Sequence, residues 1–185
     1  MPKLLILIVG KPGSGKSTAA DFIKKHFGAS VIHSGDVVRG EIKRIGLRYT
    51  PENDRKIAHW FHERGREGLI IKRTWKKVDK SKKIVVIEGL RNKRQLNYLR
   101  KFTRLKPVVI SIEAPFKVRE KRELKRERFG KVETFSYLKS REKVEKGHGL
   151  WNLIKVADYR VNNSKLPQKQ MKEKIVRLVK SLLSS

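Results

Sequence analysis

Apolar residues form short continuous runs along the chain, and these runs alternate with longer segments in which apolar residues recur every three or four positions. Continuous runs are typical of strands in a parallel sheet, because helices cover both faces of such a sheet. The predicted strands lie at 3–9, 31–33, 84–87, 107–112 and 157–161. Since parallel strands are joined by crossover connections, the pattern predicts a single α/β domain of three layers, with a parallel sheet flanked by helices.

Helical spacing is clearest in three segments. Residues 17–27 are predicted to form a helix that stops at Gly28. Residues 37–78 are predicted to be largely helical, with a helix start at Thr50 and Pro51. A closing helix is indicated by the apolar spacing of Met171, Ile175, Leu178 and Leu182.

A phosphate-binding motif joins the first predicted strand to the helix that follows it. Gly10, Gly15, Lys16 and Ser17 satisfy the pattern G-x-x-x-x-G-K-[ST] in the strand-to-helix context that the pattern requires. In such a P-loop the lysine reaches the β and γ phosphates, and the hydroxyl after it ligates Mg²⁺. We therefore predict that Lys16 is catalytic and that ATP or GTP is held with Mg²⁺ by Gly10, Lys11, Pro12, Gly13, Ser14, Gly15, Lys16, Ser17 and Thr18.

Two acidic residues at strand ends are candidates for ordering the magnesium beside Ser17. Glu88 directly follows the predicted strand 84–87, and Asp36 comes shortly after the strand 31–33. Magnesium is bound by carboxylate oxygens together with substrate phosphates, so both positions suit the metal. Either carboxylate could instead cap a helix or face solvent, a role that aspartate often takes at a helix start.

The charge of the chain is strongly unbalanced, with 47 Lys and Arg against 18 Asp and Glu and a net charge of +29 in 185 residues. Such a surface attracts polyanions at low salt, which makes RNA a candidate partner. Lysine-rich surfaces also occur in proteins from hot environments, and composition leaves both explanations open.

The absence of cysteine excludes disulfides and cysteine nucleophiles. No apolar run approaches the roughly 20 residues that span a bilayer, so we expect a cytoplasmic protein without membrane contact.

Two further segments resemble the acceptor site of adenylate kinases. The segment 34–39 resembles the Thr-Gly-Asp-x-x-Arg segment of that family, and 88–91, with the sequence Glu-Gly-Leu-Arg, resembles its Asp-Gly-Phe-Pro-Arg turn. Glutamate replaces aspartate in the second segment, and the arginine comes one position earlier. The resemblance implies that Mg²⁺ is organised by Glu88 and that the acceptor is bound by Ser34, Asp36, Arg39 and Arg91.

The segment 157–163 resembles the Ala-Asp-x-x-Ile-x-Asn stretch of dephospho-coenzyme A kinases and related nucleoside monophosphate kinases, which implies that Asn163 lies beside the adenine. Over nearly the whole chain, the order of motifs is most similar to that of archaeal proteins described as adenylate kinase-related. This resemblance implies a P-loop NTPase fold with a helical acceptor-binding insertion at 37–78 and a basic lid at 116–150. The implied lid arginines, which would close over ATP, are Arg119, Arg122, Arg126 and Arg141.

Together the motifs predict an ATP- and magnesium-dependent phosphotransferase whose acceptor resembles a nucleotide. One alternative is phosphorylation of dephospho-coenzyme A or another nucleotide-bearing hydroxyl, with Asp36 as the base. A second alternative is an ATPase that binds RNA or a ribonucleoprotein and uses hydrolysis as a conformational switch. His148 is predicted to be a loop residue rather than a base, and Trp60 a core residue.

Overall fold

A fully parallel sheet forms the middle layer of the fold. In the computed structural model, which describes residues 2–63, 65–125, 135–164 and 167–184, five strands lie in the order β2-β3-β1-β4-β5. They are β1 (Leu4–Val9), β2 (Ser30–His33), β3 (Ile84–Glu88), β4 (Val108–Glu113) and β5 (Tyr159–Asn162). Each coincides with a predicted strand, with ends that differ by one or two residues.

Helices follow the strands and cover the sheet. Among the described residues they are α1 (Lys16–Phe27), α2 (Ser34–Arg44), α3 (Pro51–His62), α4 (Glu67–Lys76), α5 (Lys93–Phe102), α6 (Phe116–Leu124), α7 (Phe135–Gly147), α8 (Leu150–Lys155) and α9 (Gln168–Ser184). The predicted helical stretch at 37–78 is therefore three helices. One break follows α2, where Gly46 adopts a left-handed φ of 74°. Thr50 then caps α3 by accepting a hydrogen bond of 3.2 Å from the backbone N–H of Asn53.

The pleat of β1 divides the core between the two faces of the sheet. Leu5 and Leu7 pack in a cluster with residues of α2, α3, α4, α5 and α8. Ile6 and Ile8 point the other way and pack with residues of α1 and α9. Successive side chains of a strand point to opposite faces of the sheet. A strand in which every residue is apolar therefore places apolar side chains in the core on both faces. The predicted three-layer α/β architecture is confirmed.

The segment predicted to be a lid, 116–150, comprises α6, α7 and the first residue of α8. Residues 126–134, which include Arg126, lie outside the described residues. In the described ranges, no helix is both long enough and apolar enough to cross a membrane.

Candidate functional site

A cavity of about 110 Å³ lies where the carboxyl ends of β1, β2 and β3 meet. Ligand sites of parallel α/β folds form at this edge of the sheet. We call it the P-loop cavity. It is lined by Gly10, Pro12, Gly13, Lys16, Ser17, His33, Ser34, Gly35, Arg39, Glu88, Gly89, Leu90, Arg91, Glu123, Arg141, Glu145 and Leu150. Five parts of the chain that are distant in sequence therefore meet here, and they include both segments that resemble an acceptor site.

The backbone of the P-loop requires glycine at its tight turns. Gly10 has φ of 150°, and a Cβ atom at this position would lie 2.3 Å from the carbonyl oxygen of Ile112. Gly13 has φ of 73°, and its Cβ would lie 2.6 Å from the carbonyl oxygen of Arg119. Any larger residue would push the loop away from β4 and α6. The loop is therefore shaped by glycine, as the motif predicts.

Lys16 is held inside the P-loop cavity by its own loop and by β3. Its Nζ donates a hydrogen bond of 3.0 Å to the carbonyl oxygen of Lys11 and lies 4.0 Å from Oε1 of Glu88. Burial lowers the pKa of the Lys16 ammonium, and the nearby carboxylate of Glu88 opposes this shift. The side chain is thus pre-positioned beside the phosphate-binding backbone.

Glu88 forms an ion pair that the sequence did not predict. Nδ1 of His33 lies 2.9 Å from Oε2 of Glu88, and this hydrogen bond raises the pKa of His33. Burial favours the neutral form of Glu88, but the His33 hydrogen bond and the Lys16 charge together hold the pKa of Glu88 below its ordinary value. The pair arises because β2 and β3 are neighbours and His33 is in register with Glu88.

The oxygen donors of this cavity fit a magnesium ion. Ser17 supplies a hydroxyl and Glu88 a carboxylate, which are the hard ligands that magnesium takes together with phosphate oxygens and water. Within the part of the chain that the structure describes, no three His, Cys, Asp or Glu side chains are grouped to hold a metal by themselves. A metal here would therefore depend on the phosphates of a bound nucleotide.

Asp36 is not among the residues that line the P-loop cavity, and its role as a metal or acceptor ligand stays a prediction. Its carboxylate forms an ion pair with Arg39 one turn later on α2, and 46% of its side chain is exposed. The residue lies in the first turn of α2, where a carboxylate also suits the helix dipole. Its structural role is to orient Arg39, which does line the cavity.

Arg39, Arg91 and Arg141 bring positive charge to the P-loop cavity from α2, from the turn after β3 and from α7. Nη2 of Arg91 lies 3.5 Å from Oε1 of Glu145, and Nε of Arg141 lies 3.7 Å from the same oxygen. Arg141 is also 3.1 Å from Oε2 of Glu123. Carboxylates of the lid segment thus engage two of the three guanidinium groups.

Arg119 and Arg122 contact the backbone of the P-loop and do not line its cavity, and their role as lid catalysts stays a prediction. Arg119 is only 2% exposed. It donates 2.9 Å and 3.1 Å hydrogen bonds to the carbonyl oxygens of Ala114 and Pro12 and forms an ion pair with Glu142. Arg122 donates to the carbonyl oxygens of Ser14 at 3.4 Å and Asn163 at 2.9 Å. Carbonyls of a tight loop need donors, and a guanidinium offers several in a fixed fork.

Asn163 supports the same loop. Its Nδ2 donates a hydrogen bond of 2.8 Å to the carbonyl oxygen of Ser14, and its side chain is buried. The amide therefore contacts the P-loop backbone, and the position beside the adenine that the resemblance implied stays a prediction. Its partner atom explains why an amide is needed, because a carboxylate could not donate to a carbonyl.

A histidine cluster adjoins Arg91. The ring of His148 packs against that of His62 with centroids 4.6 Å apart and planes tilted by 32°, and its Nε2 lies 3.1 Å from Nδ1 of His59. Burial, reinforced by the charge of Arg91, lowers the pKa of His148 to about 4 and that of His62 to about 2. Both rings are therefore neutral near pH 7. As predicted, His148 lies in a connection, between α7 and α8, but its packing partners could not be found from sequence.

The family described as “AAA domain” matches residues 9–138, which carry the P-loop, Glu88 and both acceptor-like segments. The chain belongs to this family. A UPF0200 protein of Hyperthermus butylicus is 34% identical to it over 163 residues, which is 87% of this chain and 86% of the relative. The UPF0200 protein PH1008 of Pyrococcus horikoshii is 32% identical over 186 residues, which is 98% of this chain and 99% of the relative. The expected similarity to archaeal proteins is thus confirmed.

Solved structures of kinases share the fold of this AAA-domain protein. Shikimate kinase from Acinetobacter baumannii in complex with shikimate superimposes with a TM-score of 0.63 at 16% identity, covering 96% of this chain and 94% of the other. Shikimate kinase from Aquifex aeolicus gives a TM-score of 0.60 at 20% identity. The predicted P-loop NTPase fold, with the topology of a P-loop kinase, is confirmed.

Proposed function

We propose that this chain is a magnesium-dependent phosphotransferase that moves the γ-phosphoryl group of ATP to a nucleotide-like acceptor. The observation that carries the proposal is the convergence of Lys16, Glu88 and three arginines in one cavity. Phosphoryl transfer is catalysed mainly by positioning and by positive charge around the migrating group. A cavity that combines a P-loop with arginines from separate elements supplies both.

On the donor side, ATP would lie along the P-loop. Lys16 would exchange the carbonyl oxygen of Lys11 for oxygens of the β and γ phosphates. Ser17 and Glu88 would hold the metal, whose charge offsets the negative charge that develops during transfer. The bond from the γ-phosphorus to the β–γ bridging oxygen breaks, an acceptor oxygen bonds to that phosphorus, and ADP leaves.

On the acceptor side, the guanidinium groups favour an anion. Glu145 lies within 3.7 Å of atoms of both Arg91 and Arg141, so a carboxylate occupies the position that an acceptor phosphate would take. A phosphate offers more acceptor oxygens and more charge than one carboxylate, and arginine binds it in a bidentate geometry. The acceptor that best fits is therefore one that carries a phosphate.

Substrate entry would require α6 and α7 to move apart from the P-loop at the residues that line its cavity. The cavity volume of about 110 Å³ is below the 300 to 1,000 Å³ of typical ligand pockets, so two nucleotides do not fit in this arrangement. Glu123, Arg141 and Glu145 are the lid residues that line it. Exchange of their mutual ion pairs for contacts with phosphates would couple closure to substrate binding.

Two alternatives remain distinct from this proposal. Transfer to a hydroxyl, as in phosphorylation of dephospho-coenzyme A, needs a base, and Glu88 rather than Asp36 is the carboxylate that lines the cavity beside Lys16. A switch ATPase that docks on RNA is favoured by the net charge of +29. An acceptor screen separates the three, because each requires a different second component.

The screen uses ATP labelled on the γ-phosphate with nucleoside monophosphates, dephospho-coenzyme A, RNA or no acceptor. We expect label to move to at least one nucleoside monophosphate and to require Mg²⁺. ATP and GTP are compared as donors in the same experiment. Release of labelled inorganic phosphate that responds to RNA and to no small acceptor would overturn the phosphotransferase proposal.

Arg39→Ala and Arg91→Ala are expected to raise the KM for the acceptor or lower the transfer rate by roughly 10- to 100-fold, since each removes a charged hydrogen bond worth about 1.5 to 3 kcal/mol. The affinity for ATP without acceptor should stay near the parent value. Steady-state kinetics with each substrate varied in turn measures both. Arg104→Ala, an exposed change before the amino end of β4, is the matched control. If both variants kept the parental kinetics, Arg39 and Arg91 would not bind the acceptor.

Glu88→Gln is expected to raise the Mg²⁺ concentration at half-maximal rate by about 10-fold or more, because metal-site carboxylates and their partners typically contribute 10- to 100-fold. The substitution preserves size and removes the charge. A titration of rate against Mg²⁺ measures the change, with Glu173→Gln on the exposed side of α9 as control. A curve that matches the parent would show that Glu88 does not serve the metal.

A further inference from the structure

A second and larger cavity lies on the other side of the P-loop, at the edge of the sheet. Its volume is about 430 Å³, and we call it the edge cavity. It is lined by Lys11, Ile112, Glu113, Ala114, Pro115, Trp151, Ile154, Lys155, Arg160, Asn162 and Ser164. None of these residues lines the P-loop cavity. The two cavities are nevertheless close, because Lys11 lies between Gly10 and Pro12 of the first cavity.

The floor of the edge cavity suits a planar ring. Trp151 of α8 lines it and is half-buried, with Nζ of Lys11 lying 4.6 Å from the centroid of the indole ring. Ile112, Pro115 and Ile154 add apolar surface around the indole. Nucleobases stack on such aromatic surfaces because every base has a flat π-face.

The rim of the edge cavity suits an anion. Lys155 and Arg160 are exposed at the opening, and Lys11 adds a third positive charge. Of the described residues that line the cavity, Glu113 is the one carboxylate. It already has partners, because Ser111 Oγ donates to it at 2.8 Å and Nη1 of Arg160 lies 3.3 Å from the same Oε1 oxygen. A ligand here would therefore meet excess positive charge beside an apolar, aromatic floor.

We propose that the edge cavity is a second nucleotide-binding site, separate from the site of phosphoryl transfer. The base lies against Trp151, and the phosphate is held by Lys155 and Arg160. The volume of about 430 Å³ falls within the range of typical small-molecule pockets. A ligand with a planar ring at one end and a phosphate at the other matches both halves of the lining, which a simple anion or an apolar molecule does not.

Lys11 links this site to the P-loop. Its side chain faces the edge cavity over Trp151, and its carbonyl oxygen accepts the hydrogen bond from Nζ of Lys16. A nucleotide stacked on Trp151 would contact the ammonium of Lys11. A shift of Lys11 would in turn move the carbonyl oxygen to which Lys16 donates its hydrogen bond. The edge cavity is thereby positioned to influence the P-loop without contributing a residue to its cavity.

The test uses Trp151 as the reporter. In a Trp60→Phe, Trp75→Phe variant the remaining tryptophan is Trp151, and AMP is titrated against its fluorescence. We expect saturable quenching by AMP and none by ribose 5-phosphate, which carries the phosphate without a ring. Adding Lys155→Ala and Arg160→Ala should move the midpoint to at least about 10-fold higher AMP, because two charged contacts are lost. Arg39→Ala with Arg91→Ala should leave the midpoint unchanged.

Equilibrium dialysis of labelled AMP against the Arg39→Ala, Arg91→Ala chain, with and without Lys155→Ala and Arg160→Ala, checks the same assignment when the fluorescence variant does not fold. The two arginine substitutions weaken binding of AMP at the proposed acceptor site. Absence of saturable binding would overturn the proposal. So would a midpoint that moves with Arg39→Ala and Arg91→Ala but not with the edge substitutions, because AMP would then occupy the P-loop cavity. Equal quenching by ribose 5-phosphate would likewise exclude a base on Trp151. Each outcome is independent of whether phosphoryl transfer occurs.

Discussion

Lys16→Ala is expected to lower the rate of phosphoryl transfer by at least about 100-fold, the loss typical when one preorganised charge-stabilising donor is removed. The ammonium lies in the P-loop cavity, 4.0 Å from Glu88, and no other lysine side chain among the described residues lines that cavity. The fold should persist, because the side chain contributes a hydrogen bond to Lys11 and no part of the apolar core. Transfer from labelled ATP measures the rate, and urea unfolding measures stability.

Lys24→Ala is the matched control for this experiment, since Lys24 is an exposed lysine on the same helix. It should retain parental transfer. The free energy of unfolding should change by less than about 1 kcal/mol in both variants. Parental turnover in a purified Lys16→Ala protein would remove the P-loop lysine from the mechanism, and with it the donor half of the proposed function.

Arg119→Ala is expected to lower the free energy of unfolding by about 3 to 5 kcal/mol, the cost of removing one partner from a buried ion pair. Arg119 is 2% exposed and pairs with Glu142, whose side chain is 18% exposed. The substitution also leaves the carbonyl oxygens of Pro12 and Ala114 without this donor. Urea unfolding followed by circular dichroism provides the measurement.

Lys117→Ala, an exposed change on the same helix α6, is the control and should leave stability within about 0.5 kcal/mol of the parent. Transfer by Arg119→Ala, measured well below its unfolding midpoint, should fall less than in Lys16→Ala, because the guanidinium supports the loop from behind. If Arg119→Ala kept the parental stability but lost transfer, this assignment would be wrong, and Arg119 would instead contact the transferred phosphate.

Local pattern was sufficient for the position of the strands and for the P-loop. Strands β1, β3 and β4 appeared as apolar runs because a parallel strand in the middle of a sheet is covered on both faces, and that requirement acts on consecutive residues. The P-loop could be found for a similar reason. Its glycines and Lys16 occupy fixed spacings within one short loop. A Cβ atom at Gly10 would collide with the backbone of Ile112, so no larger residue fits at that position.

The roles of individual arginines depended on tertiary structure. Sequence spacing put Arg119, Arg122 and Arg141 in one lid segment, but only Arg141 lines the P-loop cavity, while the other two contact the loop backbone from behind. Spacing along a chain shows which residues share a helix and does not show which side of a loop that helix contacts. In a chain with 47 Lys and Arg, charge by itself cannot make that distinction.

By itself, the sequence determined the α/β fold and the P-loop, because motif spacing and local periodicity encode them. The resemblance to adenylate kinases predicted that Arg39 and Arg91 belong to one site, and both line the P-loop cavity. Only the tertiary structure decided that His33 binds Glu88 and that Asn163 supports Ser14. Each of these contacts depends on which strands and loops become neighbours. Those are properties of the packed chain, set by long-range burial rather than by neighbouring residues.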